Sequence, residues 1–137
     1  MSQENPFTGP ELQNTHYERA DMAGSNFDAV NLANARFYAV MTDARFQDTN
    51  LKGAVFDDVN LSEARVQNVN LADTGFSDVN LSGATFRGVN LSGAVLDGVT
   101  LKGVAIRNAD VTDMSIDGIK VTDLIDAYHR AQKAAGA

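Results

Sequence analysis

The sequence predicts an all-β solenoid, one chain wound into a stack of short extended segments. Three observations predict it. From Met41 onward an apolar residue falls at every fifth position, through Phe46, Leu51, Phe56, Leu61, Val66, Leu71, Phe76, Leu81, Phe86, Leu91, Leu96, Leu101, Ile106, Val111, Ile116 and Val121. Two residues before most of these centres stands a small or β-branched residue, such as Ala44, Ala54, Val59, Ala84 or Ala94. Gly, Asn, Asp and Ser crowd the positions that follow, as in Ser82-Gly83, Ser92-Gly93 and Asp97-Gly98, and these residues favour bends.

A period of five excludes the regular alternatives. An α-helix turns about 100° per residue, so apolar residues five apart would smear round its cylinder. In a flat strand, positions five apart lie on opposite faces. The pattern fits a short segment whose centre and centre minus two share one face, then a bend that points the next segment inward again.

The number of sides follows from residue size. Phe and Leu centres alternate along the chain, so coils of four segments stack like on like, whereas three segments would alternate Leu with Phe in every column. The expected columns are Met41, Leu61, Leu81, Leu101 and Val121; Phe46, Val66, Phe86 and Ile106; Leu51, Leu71, Leu91 and Val111; and Phe56, Phe76, Leu96 and Ile116. Earlier centres, Tyr17, Met22, Phe27, Leu32 and Phe37, are out of phase, because Phe37 and Met41 are four apart. Removing one bend residue near Tyr38 restores the columns, so the skip reads as a local defect. The core set is Phe46, Leu51, Phe56, Leu61, Leu71, Phe76, Leu81, Phe86, Leu91 and Leu96.

The units VNLSGATFRG, VNLSGAVLDG, TNLKGAVFDD and ANARF resemble those of pentapeptide-repeat proteins, over roughly residues 15 to 123. The resemblance implies a right-handed quadrilateral β-helix, here of about five and a half coils, with stacked coils paired by backbone hydrogen bonds. Independently of the resemblance, no convergent acid, base, nucleophile or metal set is present in the sequence, so a non-enzymatic role is expected. Several of the proteins this chain resembles dimerise through their C-terminal ends, and some occupy the DNA-binding saddle of type II topoisomerases and confer quinolone tolerance.

A solenoid cannot end bare, so both termini are expected to cap it. Residues 1–14 read as an N-terminal cap, with Pro6 and Pro10 opposing strand pairing and Phe7 and Leu12 folding over the first coil. Residues 124–137 lose the five-period and read as a helix, with Thr122 or Asp123 as N-cap and Gly136 as stop. Its apolar residues Leu124, Ile125 and Tyr128 have two readings: a plug for the last coil, or a homodimer contact.

Composition bounds the chemistry. The 137 residues suffice for one domain, and 44% hydrophobic residues can build its core without disulfides, cysteine being absent. The opening MSQENPFTGPEL carries no signal-peptide pattern, so a cytoplasmic protein is expected. A net charge of −7 argues against direct binding to nucleic acid or an anionic membrane. His16 and His129 are the two histidines, too few and too separated for a triad or metal site. Glycines spaced five apart mimic a phosphate loop without its Gly-Lys-Ser/Thr ending, and Asp110, Asp113 and Asp117 lack the order of a calcium loop. No catalytic residue, cofactor or metal site is expected. Asn31, Asn50, Asn60, Asn70, Asn80 and Asn90 read as a structural ladder.

The outward charges carry more information. Asp57, Asp58, Asp78, Asp97 and Asp117 flank one column and form a candidate acidic interaction face. Arg45, Arg65, Arg87 and Arg107 flank the opposite column and form a basic face. The expected function is a rigid scaffold for an unidentified protein partner. The alternative is a DNA mimic that binds DNA gyrase. If the register is right, Phe86→Ala lowers stability by about 3 to 5 kcal/mol while the outward Ser92→Ala leaves it unchanged; equal stabilities in chemical denaturation would overturn the register.

Overall fold

The computed structural model describes residues 12–136. The repeat folds into short strands, β1 (His16–Asp21), β2 (Asn26–Asp28), β3 (Arg36–Val40), β4 (Arg45–Gln47), β5 (Val55–Asp57), β6 (Arg65–Gln67), β7 (Gly75–Ser77), β8 (Thr85–Arg87), β9 (Val95–Asp97) and β10 (Ala105–Arg107). Alternate strands belong to alternate walls. The odd strands from β1 to β9 form one parallel sheet and the even strands from β2 to β10 another. From β4 onward each strand pairs with its counterpart 20 positions on, Arg45 with Arg65 and Arg65 with Thr85. Isolated parallel bridges, Asn31–Asn50–Asn70–Asn90–Asp110 and Val40–Asn60–Asn80–Thr100, form the two walls between the sheets. The rod is therefore four-sided, and the stacked columns are those expected except at Val121, which opens the C-terminal helix instead of stacking on Leu101.

The interior is built from like on like. Tyr17, Phe37, Phe56 and Phe76 stack at centroid separations of 5.0, 4.7 and 5.1 Å with nearly parallel rings. Phe27 and Phe46 stack at 4.6 Å on the facing wall and meet the first ladder edge-to-face. Leu51, Leu61, Leu71, Leu81 and Leu91 fill the columns between and are buried. Thr49 and Thr74, two residues before their centres, are buried and donate their hydroxyls to the carbonyls of Gln47 and Leu51.

The bends have one conformation. A residue with positive φ recurs every five positions from Asn14 to Asn34 and again from Asp43 to Asp113. At several corners the order of residue types is set by the coil above. The carboxamide of Asn68 stands where a Cβ on Gly88 would be, 2.8 Å from it, and Asp78 stands likewise over Gly98 at 2.7 Å. Glycine at these corners thus serves both the positive φ and the side chain reaching down from the previous coil.

Between Asn34 and Asp43 the corner residue is missing, and β3 pairs with β5 at an offset of 19, Phe37 with Phe56. This is the skip near Tyr38. β1 carries a bulge at Arg19, where the register shifts between Glu18 and Ala20.

The ends depart from expectation. The repeat extends upstream to Leu12, whose amide donates to Asn31 as the amide of Leu32 donates to Asn50. Pro6, Phe7 and Pro10 lie outside the described residues. At the other end the chain turns back on itself: β11 (Ser115–Ile116) pairs antiparallel with β12 (Ile119–Lys120) across Asp117-Gly118. Both turn residues have positive φ, 50° and 79°, as a two-residue Asp-Gly hairpin requires. The expected coil through residue 123 therefore stops near Ile116. The helix α1 (Val121–Ala135) starts at Val121 with Lys120 in the N-cap position and no side-chain cap, not at Thr122 or Asp123. Hairpin geometry, rather than a cap residue, launches it. Gly136 is the C-cap, as expected.

The corner geometry predicts an energetic coupling between coils. Gly88→Ala is expected to cost about 1 to 2 kcal/mol, because φ is positive there and the Asn68 carboxamide occupies the site. In an Asn68→Ala background the same change should cost less. A denaturation double-mutant cycle with no coupling would show that glycine at this corner serves the backbone alone.

Candidate functional site

The two charged walls are placed by the strands. Asp57, Ser77 and Asp97 occupy one outward row of the β1–β9 sheet, in register. Asp58 and Asp78 follow at its corner, both exposed with positive φ. Asp117 departs from this set, since it sits in the hairpin turn at the rod's end. On the β2–β10 sheet, Arg45 lies in register with Arg65 in one row, and Arg87 with Arg107 in the other. Each arginine is exposed. Stacked coils stand about 4.8 Å apart, so like charges face each other at a spacing that opposes folding. Sequence reasoning missed Arg19 and Arg36, which bring positive charge to the N-terminal end of the acidic wall.

The asparagine ladder has a defined job. The side-chain oxygens of Asn31, Asn50, Asn60, Asn70, Asn80 and Asn90 each accept the amide of the residue two positions on, at 2.9–3.1 Å. Asp110 does the same for Thr112 at 3.0 Å, and its carboxyl is held below the ordinary carboxylate range by the Thr112 hydroxyl and amide.

The C-terminal end is the third surface. Helix α1 has no buried residue, so Leu124, Ile125 and Tyr128 do not plug the last coil. Of the two readings, the plug does not hold: the helix follows directly on the β11–β12 hairpin and buries none of its side chains on the column ends. Leu96 is half-buried, and Leu101, Ile106 and Ile116 are 38%, 42% and 39% exposed, where Leu32 and Phe27 near the other end are fully buried. Leu124, Ile125 and Tyr128 are 41%, 44% and 60% exposed beside this open end.

Among the described residues no group of three or more His, Cys, Asp or Glu side chains is placed to hold a metal. His16 lies in β1 and His129 on α1, both exposed. No helix among them is long and apolar enough to cross a membrane.

A four-sided rod of stacked pentapeptides with charged walls and an apolar end defines a β-solenoid. The family described as Pentapeptide repeat region matches residues 10–86, and that described as Pentapeptide repeats (8 copies) matches residues 76–113. The chain belongs to the pentapeptide-repeat family. Families of this kind are generally non-enzymatic structural or binding scaffolds. A search of curated proteins finds no match. Among solved structures it is similar to the pentapeptide repeat protein Rfr23 from the cyanobacterium Cyanothece 51142, at 20% identity over 77% of this chain and 85% of that one, with a TM-score of 0.39. A pentapeptide repeat protein from the Arabidopsis thaliana thylakoid lumen matches at 24% identity over 75% and 81%, TM-score 0.45. The plasmid-mediated fluoroquinolone resistance protein QnrB1 matches at 14% identity over 95% and 93%, TM-score 0.44. These likenesses are of fold.

The lowered Asp110 carboxyl gives a pH expectation. A folded carboxyl below its ordinary value stabilises above the ordinary carboxylate pKa, and that contribution is lost as pH falls through the lowered value. Asp110→Asn supplies the same acceptor without titrating and is expected to weaken the acid dependence of the denaturation midpoint. An unchanged acid dependence would show that the Thr112 contacts do not persist in solution.

Proposed function

We propose that this chain is a non-enzymatic, protein-binding scaffold that works as an end-to-end dimer. The open C-terminal coil carries the proposal. Three columns of large apolar residues, buried through the body of the rod, emerge at Leu101, Ile106 and Ile116, with the exposed apolar side chains of α1 beside them. A second copy presented head-on offers the same apolar columns and the same helix, so one symmetric contact covers both. Burial of several such side chains, at roughly 25 cal/mol per Å², is a sufficient driving force. The joined rod then displays its two charged walls along twice the length. The in-register pairs Arg45–Arg65 and Arg87–Arg107 oppose folding, which supports a role for that wall in recognition.

Light scattering over a range of concentrations tests the dimer. The expected mass is twice that of the chain, falling to that of one chain in Ile106→Asp and Leu124→Asp with circular dichroism unchanged. A wild-type chain that stays single at tens of micromolar would overturn the dimer. Affinity capture from the native host tests the scaffold.

The acidic row of Asp57 and Asp97 with Asp58 and Asp78 favours a second reading, a DNA mimic directed at DNA gyrase. Supercoiling reactions with and without a fluoroquinolone decide it: an effect lost when those four residues become Asn supports the mimic, and no effect at micromolar protein removes it.

A further inference from the structure

One corner of the rod breaks the rule the others obey. Where the β1–β9 wall turns, the corner residue with positive φ is Arg19 in one coil, then Asp58 and Asp78 two and three coils later. The coil between has none, and Tyr38, Ala39 and Val40 run through the corner as strand, beside Glu18, Ala20 and Asp21. The missing residue leaves a recess of about 470 Å³ lined by Tyr38, Ala39 and Val40, with Arg19 on one side and Asp58 and Asp78 on the other. Tyr38 is 39% exposed and Val40 45%, while Phe37 and Ala39 of the same strand are buried.

We propose that this recess docks a cationic side chain, an arginine or lysine carried on a loop of the protein partner. The inference rests on the scaffold reading and names a site for it. The gap arises from the loss of one corner residue, and as an open recess it admits a long side chain with its head group still in contact with solvent. Asp58 and Asp78 follow one another down the corner at a backbone spacing of about 4.8 Å; Asp58, in the coil next to Tyr38, is the nearer carboxylate for the cation, while Asp78, which reaches on toward Gly98, adds negative charge one coil further along. The Tyr38 ring supplies an aromatic neighbour for the cation, and Val40 an apolar surface for the methylene stem. An anion would face these carboxylates. An apolar side chain would take them out of water unpaired, which is unfavourable. Arg19 does not neutralise the site, because Asp21 joins Asp58 and Asp78 in lining it.

The test uses the full chain, labelled with ¹⁵N, and two capped peptides: acetyl-Gly-Arg-Leu-Gly-amide and the same peptide with citrulline, which keeps the shape of arginine without its charge. The arginine peptide is expected to shift the amide signals of Tyr38, Ala39, Val40 and Asn60 saturably in the millimolar range, with the citrulline peptide about tenfold weaker. Two variants should abolish the shifts: Asp58→Asn with Asp78→Asn, and insertion of one Asp between Tyr38 and Ala39, which refills the corner. Should the insertion fail to fold, the double Asn variant carries the test. Equal shifts with citrulline, or shifts that persist in the double variant, would overturn the proposal. Capture from host extract separates the two readings. A partner held equally by the wild type and the refilled variant keeps the scaffold and overturns the recess. A wild type that holds nothing counts against the scaffold, while the peptide titration still decides the recess.

Discussion

The rod depends on backbone hydrogen bonds between coils, and these are kept in register by a residue with positive φ at every fifth position, with one corner, between Asn34 and Asp43, closing as continuous strand instead. Met41 donates to Asn60, Leu61 to Asn80 and Leu81 to Thr100, a line of bonds of 2.7–2.9 Å running along one wall. A corner that turned differently would move every following segment out of register with the coil above. That constraint explains why Asp, Asn and Gly hold most of the corners, since they tolerate a left-handed backbone better than other residues do.

Corner geometry and core packing reinforce each other. With the turn fixed, each centre lands over the centre one coil earlier, so phenylalanines stack and leucines fill the spaces between. The asparagine before Leu32, Leu51, Leu61, Leu71, Leu81 and Leu91 accepts the amide two residues on, which satisfies a bend donor without help from outside the coil. With the interior and the bends so occupied, variation is left to the outward positions of the strands, and there the two walls acquire opposite charge. Function, on this fold, has to reside in departures from the repeat or in the outward rows.

Three departures matter, and they differ in how legible they were. The skip at Phe37–Met41 was visible as a spacing of four, but that its loss opens a recess depends on the neighbouring coils keeping Arg19 and Asp58 at the same corner. The hairpin at Asp117-Gly118 had a local signal, Asp-Gly between Ile116 and Ile119, yet the apolar phase runs on through Ile116 to Val121 and masked it. The amphipathic helix was legible as a helix, whereas its docking was not, because periodicity tells which face is apolar and says nothing about what that face meets. Of the two readings for Leu124, Ile125 and Tyr128, plug or dimer contact, the plug does not hold, since all three lie exposed beside the last coil.

The sequence by itself determined the coil length, the four columns, the inward residues from Phe46 to Leu91 and the two charged walls. Each of these follows from a fixed interval repeated many times, so local preferences add coherently along the chain. Tertiary structure alone decided why glycine follows asparagine or aspartate down a corner, where the solenoid stops, and that its last coil remains uncovered. Those features arise between residues about twenty positions apart or at the rod's end, where the repeat has no neighbour to impose its register.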